Sequence, residues 1–402
     1  MPAILYVQTI SYCTRAMVPT VQVAIDLVLN IEQVVSSWYR EELGWQEPRI
    51  SFRRLSQNPL GWAGVLQFNC IYMITANDAA TATRHDESVL KIYPHEEYAR
   101  QDFDYLVKLS SEFKKLDQGF GVPVPLAVLP DIRGLLTSRM PGKRLDALLW
   151  PSPLAKDRNK YSTVALDAIR RAASWLALYQ TITPHEDPHN LKGEMLIEDV
   201  RANLDLCRER GLSPPLVEGV ASWLSEIEYG VKGTTSVCIS TCHLQPNHML
   251  ISEERTSAID FEDAGCGWPS SDLAAFFAYC GVYKKTFYPM SISFEDLCEN
   301  FLQTYSSRNK FGTNHWTLLE ISYVQELLNA FLAPSIFAAK HSSWRKSGSP
   351  ILLTRWFSWN YWLSWISYLA KREIAKRTAK GNWQTLLKEW DASKSLMRIS
   401  EA

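Results

Sequence analysis

Residues 241–263, TCHLQPNHMLISEERTSAIDFED, concentrate polar side chains whose types fit metal and phosphate chemistry. Short apolar runs separate these side chains, which predicts strands joined by loops. Magnesium prefers protein oxygens together with substrate phosphates, so we expect Asp260 to anchor such an ion, with an imidazole as a softer companion. The polar residues at the predicted loop mouths are His243, Asn247, His248, Asp260, Glu262 and Asp263.

Two other interpretations of the same segment stay open. His243, His248 and Asp260 have the ligand types of an iron site built from two histidines and one carboxylate. Alternatively, both histidines only hydrogen bond to backbone groups beneath a sheet. The sequence pattern alone does not choose among the three.

A single lysine, Lys91, stands in the middle of the apolar run SVLKIY. Such a lysine points either into solvent or toward the inner face of its sheet. Two acids on the next predicted helix, Asp102 and Asp104, favour the inner face, because a buried ammonium group needs a partner for its charge.

Hydrophobic periodicity places these side chains on a strand-rich first part and a helical second part. An amphipathic helix over 25–47 is followed by strand-like runs and a helix with an apolar stripe over 96–116. The runs predict a small antiparallel sheet, and the boundary between the parts falls near 138–142. The strand-like runs are 49–55, 65–75 and 87–93, and the later predicted helices include 161–183, 196–211 and 216–230.

Composition excludes several classes of protein. The 402 residues carry 42 Lys and Arg against 43 Asp and Glu, so we expect no general affinity for nucleic acid. The eight cysteines form no CxxC pair, which favours thiols in the reducing cytoplasm. No basic leader precedes an apolar core, and no apolar run is long enough for a membrane span.

A tryptophan-rich segment, residues 354–377, has helical spacing. It predicts a helix packed on a core, or else an aromatic wall for a ligand. The apolar residues that set the spacing are Trp356, Phe357, Trp359, Leu363 and Ile366.

Taken in chain order, these segments resemble the aminoglycoside phosphotransferase and choline kinase-like family, which shares the protein-kinase fold. The most specific match is AIDFEDAGCGWPSSDLAAFF, and VLKIYP and LLTSRMPGKRLDALL add weaker ones. The resemblance covers roughly residues 50–280. It implies an α+β fold with two lobes. These are a nucleotide-binding lobe over 49–140, preceded by a helical extension over 1–48, and a helical substrate and metal lobe over 141–402.

The resemblance also implies roles for single residues. Lys91 would hold nucleotide phosphates and Asp102 would replace the glutamate that pairs with this lysine, while the hinge around Ser138 and Met140 would meet adenine. His248 and Asp260 would bind magnesium, His248 in an asparagine position that macrolide phosphotransferase-like members also change to histidine. Asp272 would be the buried structural aspartate, and Tyr179 stands where the family usually has a histidine.

Two departures from the family pattern bear on activity. His243 stands where the family has its catalytic aspartate, and the loop SQNPLGWAG has only Gly61 and Gly64 in place of a glycine-rich loop. A neutral imidazole can accept a proton, but a nearby triphosphate favours the imidazolium form, which cannot.

Three functions therefore remain open. The first is an ATP- and magnesium-dependent phosphotransferase that acts on a small-molecule hydroxyl or amine, with His243 at the acceptor. The second is a catalytically silent relative that binds nucleotide or another small ligand, or regulates a partner. The third is an enzyme that has reused the cleft for different chemistry. Glu262 and Asp263 either attract a cationic acceptor or are solvated loop acids.

Overall fold

A computed structural model provides the structure of the protein. The residues that it describes are 21–55, 70–81, 84–93, 95–116, 119–151, 158–183, 192–234, 238–241, 244–261, 264–283, 290–309, 313–340 and 350–379.

The described chain contains an antiparallel sheet and a mostly helical remainder, which confirms the predicted α+β fold. The strands are β1 (Pro48–Arg54), β2 (Cys70–Asp78), β3 (His85–Ile92), β4 (Phe120–Gly121), β5 (Pro125–Leu129), β6 (Gly134–Ser138), β7 (Lys143–Arg144), β8 (Cys238–Ser240), β9 (Met249–Ile251), β10 (Thr256–Ala258) and β11 (Gly265–Gly267). The α-helices are α1 (Val21–Leu43), α2 (Glu96–Leu116), α3 (Leu145–Leu149), α4 (Arg158–Ile182), α5 (Gly193–Glu209), α6 (Pro214–Val231), α7 (Pro269–Ala278), α8 (Phe294–Arg308), α9 (Thr313–Lys340) and α10 (Pro350–Ala379).

The chain divides into two compact units, each built from two stretches of sequence. Unit 1 comprises Met1–Gly142 and Ser252–Glu262, and unit 2 comprises Lys143–Ile251 and Asp263–Ala402. A short segment that follows β9 therefore returns to the sheet-containing unit, and it carries Asp260.

Unit 1 is built on a five-stranded antiparallel sheet in the order β1-β2-β3-β6-β5. Helix α1 packs on this sheet, and its buried Tyr39 joins a core that also contains Leu90 and Ile92. Because side chains alternate between the faces of a strand, Lys91 points to the face opposite this core. The lysine lies opposite Ile71 on β2 and Leu135 on β6.

Helix α2 has the bounds that its apolar stripe predicts, Glu96–Leu116. It packs against β5 and β6. Of the two acids considered as partners of Lys91, Asp102 is buried and Asp104 is exposed. The inward face of the helix is Ala99, Asp102, Leu106, Leu109 and Phe113.

The returning segment is fixed to unit 1 by a short parallel pairing of β10 with β4. Gly119, just before β4, has φ +67°, and a Cβ there would lie 2.9 Å from the carbonyl oxygen of Glu254. The close approach of the two backbones therefore requires glycine at this position.

Unit 2 is mainly helical, with α4 packed on α8, and α9 packed on α5, α7 and α10. Trp175 and Tyr179 of α4 are fully buried and stack with ring centroids 5.1 Å apart. On α10, Leu363 and Ile366 are buried as the helical spacing predicts. The side chains of Trp356, Phe357 and Trp359 lie outside the described residues.

Within the described ranges, no helix combines the length and the apolar character that crossing a membrane requires. Five cysteines in these ranges are present as thiols and not as disulfides: Cys207, Cys238, Cys266, Cys280 and Cys298.

Candidate active site

The structure brings Lys91 and Asp260 together in unit 1. Lys91 Nζ lies 2.5 Å from Asp260 Oδ1, and 169 residues separate the two in sequence. The lysine side chain is only 12% exposed, whereas that of Asp260 is 31% exposed. The largely buried ammonium group therefore has a charged partner, and the partly exposed carboxylate lies at the surface of the unit.

The backbone at Asp260 adopts a conformation that few residues with a side chain take. Its φ is +74°, in the left-handed region, which aspartate tolerates better than most residues but still at a cost of about 1 kcal/mol or more. Parallel pairing of β10 with β4 and the ion pair with Lys91 hold the segment in place. Such strain is common where a side chain must point in a defined direction at a functional site.

Asp102 is the second acid of this group. It is buried on α2, and the hydroxyl of Tyr93 donates a hydrogen bond to its Oδ2. Lys91 Nζ lies 5.2 Å from the centroid of the Tyr93 ring. Lys91, Tyr93, Asp102 and Asp260 therefore form one connected group of side chains.

Ser138 and Met140, which the resemblance predicts to form a hinge, follow this group along the chain in unit 1. The N–H of Ser138 donates to the Val124 carbonyl at 2.8 Å, and its hydroxyl oxygen accepts from the N–H of Val124 at 2.9 Å. Met140 is buried, and its Cε would lie 3.7 Å from a Cβ placed on Gly121. Because the N–H of Ser138 already has an acceptor, a hinge contact to adenine from a backbone donor would have to come from another residue.

The loop that follows β8 belongs to unit 2. Pro246–His248 form a 3₁₀ turn in which the N–H of His248 donates to the Gln245 carbonyl at 2.9 Å. Helix α3 packs on this turn. The Oδ1 atom of Asn247 is buried, and no group in the described part of the chain donates a hydrogen bond to it.

Asp272 fixes the start of this loop. It is fully buried, as the resemblance implies, and its Oδ1 accepts from Ser240 Oγ at 3.0 Å, Thr241 N at 3.0 Å and Thr241 Oγ1 at 2.6 Å. Gln180 Nε2 donates to Oδ2 at 3.0 Å, and the Tyr305 hydroxyl donates to Gln180. Burial raises the pKa of Asp272, whereas these hydrogen bonds oppose the rise.

Several residues singled out in the sequence lie outside the described part of the chain. They include His243, the glycines of the loop SQNPLGWAG, and the two acids that follow Phe261, namely Glu262 and Asp263. The three-ligand iron interpretation depends on His243, so its geometry is not defined. Among the residues that are described, no three His, Cys, Asp or Glu side chains come together as a metal site.

Sequence reasoning missed Tyr93 and Gln180. Tyr93 lies within the strand motif VLKIYP, and Gln180 directly follows Tyr179. Neither position forms a sequence pattern with its acid that predicts the contact. Their partners, Asp102 and Asp272, are both acids that the sequence had singled out. A buried acid needs hydrogen-bond donors, so the signal that could have identified Tyr93 and Gln180 is the need of Asp102 and Asp272 for a hydroxyl or amide partner.

The chain matches the model of one protein family, described as the phosphotransferase enzyme family, over residues 77–296. No curated protein matches the chain in a sequence comparison.

Among solved structures, a protein from Ralstonia eutropha JMP134 described as an aminoglycoside phosphotransferase is 12% identical, with a TM-score of 0.52, covering 85% of this chain and 98% of that one. A choline/ethanolamine kinase family protein from Mesorhizobium loti is 13% identical, with a TM-score of 0.49, covering 88% and 98%. The macrolide 2′-phosphotransferase MphH from Brachybacterium faecium is 15% identical, with a TM-score of 0.46, covering 74% and 88%. The first of these likenesses shows the fold.

The family match spans more than half of the chain and includes Lys91, Asp102, Asp260 and Asp272. The protein therefore belongs to the phosphotransferase enzyme family.

Proposed function

We propose that the protein is an ATP- and magnesium-dependent phosphotransferase that acts on the hydroxyl or amine of a small molecule. The observation that carries this proposal is the contact of 2.5 Å between Lys91 Nζ and Asp260 Oδ1. Membership of the phosphotransferase enzyme family supports the reaction class. The identities of the nucleotide, the metal ion and the class of acceptor are our proposal.

The electrostatics of the pair fit nucleotide binding. Lys91 supplies a positive charge that phosphate oxygens can approach, and Asp260 holds that charge in place until a nucleotide arrives. Because the lysine stem is largely buried, its ammonium group has little freedom to move away. The lysine is therefore pre-ordered for a triphosphate, which lowers the entropy lost on binding.

The chemistry of Asp260 fits magnesium. Its partly exposed carboxylate supplies the hard oxygen that this ion prefers. From the resemblance, we propose that Asp260 and His248 hold the ion. When bound, magnesium neutralises the charge on the phosphates during phosphoryl transfer.

His243 is the residue that we assign to the acceptor. Thr241 lies two positions before it, and Asp272 holds Thr241 through both its backbone N–H and its hydroxyl. A neutral His243 would orient the acceptor and take its proton at a ring nitrogen. A positive charge on His243, favoured beside phosphates, would remove that capacity and slow the transfer.

A catalytically silent nucleotide-binding protein is the second candidate. The histidine at position 243 favours it, since the family's aspartate is missing there. General-base groups contribute about 10²–10⁴-fold to rate, so the two candidates differ in turnover far more than in nucleotide affinity. The thiol state of Cys207, Cys238, Cys266, Cys280 and Cys298 supports a reducing, cytoplasmic location for either candidate.

The test measures magnesium-dependent ATP binding by calorimetry and ATP consumption with pooled hydroxyl and amine compounds, including cationic ones. We expect the wild-type protein to bind ATP and Lys91→Met to bind it at least tenfold more weakly. Lys108→Met, which changes an exposed lysine on α2, is the matched control and should bind normally. Wild-type protein that does not bind ATP with or without magnesium would contradict the proposal.

His243→Asp separates the two candidates. If wild type consumes ATP with an acceptor and His243→Asp changes the rate, His243 acts at the acceptor. If wild type binds ATP without turnover and His243→Asp creates turnover, the protein is the silent form.

A further inference from the structure

Tyr93 directly follows β3, two residues after Lys91. It contacts both Lys91 and Asp102. It is 2% exposed. Its hydroxyl donates to Asp102 Oδ2, and its backbone N–H donates to the Arg133 carbonyl at 3.0 Å. The backbone hydrogen bond fixes the position of the Tyr93 main chain, and the hydroxyl hydrogen bond fixes the orientation of its ring.

The face of the Tyr93 ring adds a second contact. Lys91 Nζ is 5.2 Å from the ring centroid, within the distance at which an aromatic face attracts a cation. Such attraction is stronger where water is excluded, and the lysine side chain is only 12% exposed. The same side chain therefore touches the ammonium group of Lys91 and the carboxylate of Asp102.

We propose that Tyr93 is a positioning residue that holds Asp102 by its hydroxyl and Lys91 by its ring, so that nucleotide phosphates meet a lysine fixed in place. This inference rests on the proposed nucleotide binding. It assigns a role to a side chain that does not itself touch the nucleotide.

The chain offers a matched control for this role. Tyr39 of α1 is also fully buried in unit 1 and donates to a carboxylate, Asp86 Oδ2, at 2.6 Å. It belongs to the core on the sheet face opposite Lys91. Tyr39→Phe therefore removes the same kind of hydrogen bond from the same unit without disturbing the lysine.

The experiment measures the dissociation constant of ADP with magnesium by calorimetry, and unfolding by urea, for wild type and three variants. The variants are Tyr93→Phe, Tyr39→Phe and Lys91→Met. A hydrogen bond to a charged group contributes a free energy that corresponds to about tenfold in an equilibrium constant. Because this bond keeps the free protein in its ADP-binding arrangement, we expect Tyr93→Phe to weaken ADP binding by up to about tenfold. Tyr39→Phe should lower stability to a similar extent and leave ADP affinity within about twofold.

The remaining outcomes separate this inference from the proposed function. Normal ADP binding by Tyr93→Phe with weak binding by Lys91→Met would overturn the role of Tyr93 and leave the function standing. Equal losses in Tyr93→Phe and Tyr39→Phe would overturn it too, because the effect would then come from general destabilisation of the sheet. Wild type that does not bind ADP would overturn the function itself, and the inference with it.

Discussion

Glu320 of α9 makes a contribution to the stability of unit 2 that decreases as pH rises. The side chain is 2% exposed, and no described group hydrogen bonds to its Oε1. Burial raises its pKa from 4.5 to about 8, although the positive charge of Arg377 opposes the rise. Arg377 is itself engaged, since it pairs with Glu373 at 2.8 Å and its guanidinium carbon lies 5.3 Å from the Tyr323 ring centroid.

The sign and size of the effect follow from linkage. The folded protein keeps the Glu320 proton up to a pKa of about 8, whereas the unfolded chain releases it near 4.5. The contribution of Glu320 to stability is therefore greatest below pH 4.5, falls between pH 4.5 and 8, and levels off above. At about 1.4 kcal/mol per pKa unit, the full effect is about 5 kcal/mol.

The variant Glu320→Gln tests this, because glutamine keeps the shape of the neutral acid and cannot ionise. Its stability relative to wild type should rise from about 1 kcal/mol at pH 5 to about 4 kcal/mol at pH 8. The assay is urea unfolding of both proteins at four pH values and constant ionic strength, followed by far-ultraviolet circular dichroism. Other titrating groups cancel in the difference.

Glu218→Gln, at an exposed glutamate of the same unit, is the control and should give a flat difference. A flat difference for Glu320→Gln would refute the reasoning, since it would mean that the Glu320 carboxyl is solvated or paired in the folded protein.

Two further predictions concern packing in unit 2. Asp272→Ala removes the acceptor of Thr241 and leaves several buried donors unsatisfied, so urea unfolding should show a loss of about 3–5 kcal/mol, and an unchanged midpoint would contradict the network. Gly193→Ala should cost about 1–3 kcal/mol in the same assay, because the new Cβ would lie 2.4 Å from the Val231 carbonyl oxygen. Gly230→Ala, where a Cβ meets nothing within 4 Å, is the control and should be neutral or stabilising; equal effects at both glycines would rule out the clash.

Local patterns predicted the elements well where one physical signal dominated. The bounds of α2 follow from acids in its first turn, lysines in its last turn and an apolar stripe between them. Strand β3 was predicted within two residues at its start and one at its end, because its apolar run has no competing helical period. The predicted fold class was right because it depended on the order of such elements.

Tertiary contacts were harder to predict. The sequence placed Asp260 with the helical part, whereas its segment belongs to unit 1, because a pairing as short as β10 with β4 leaves almost no pattern. The hydroxyl of Tyr93 reaches an acid nine residues away on another element, and propensity carries no information about such a contact. The roles of His243 and of the hinge stay predictions.

The separation of 169 residues between Lys91 and Asp260 has a consequence for biosynthesis. The ribosome synthesises the lysine long before the aspartate. The nascent sheet therefore lacks Asp260 during the synthesis of β7, α3, α4, α5, α6, β8, β9 and β10. Closing so long a loop is also entropically slow. A polypeptide that ends at Gly142 would thus contain Lys91 but not Asp260. We expect the ion pair between them to form among the last events of folding.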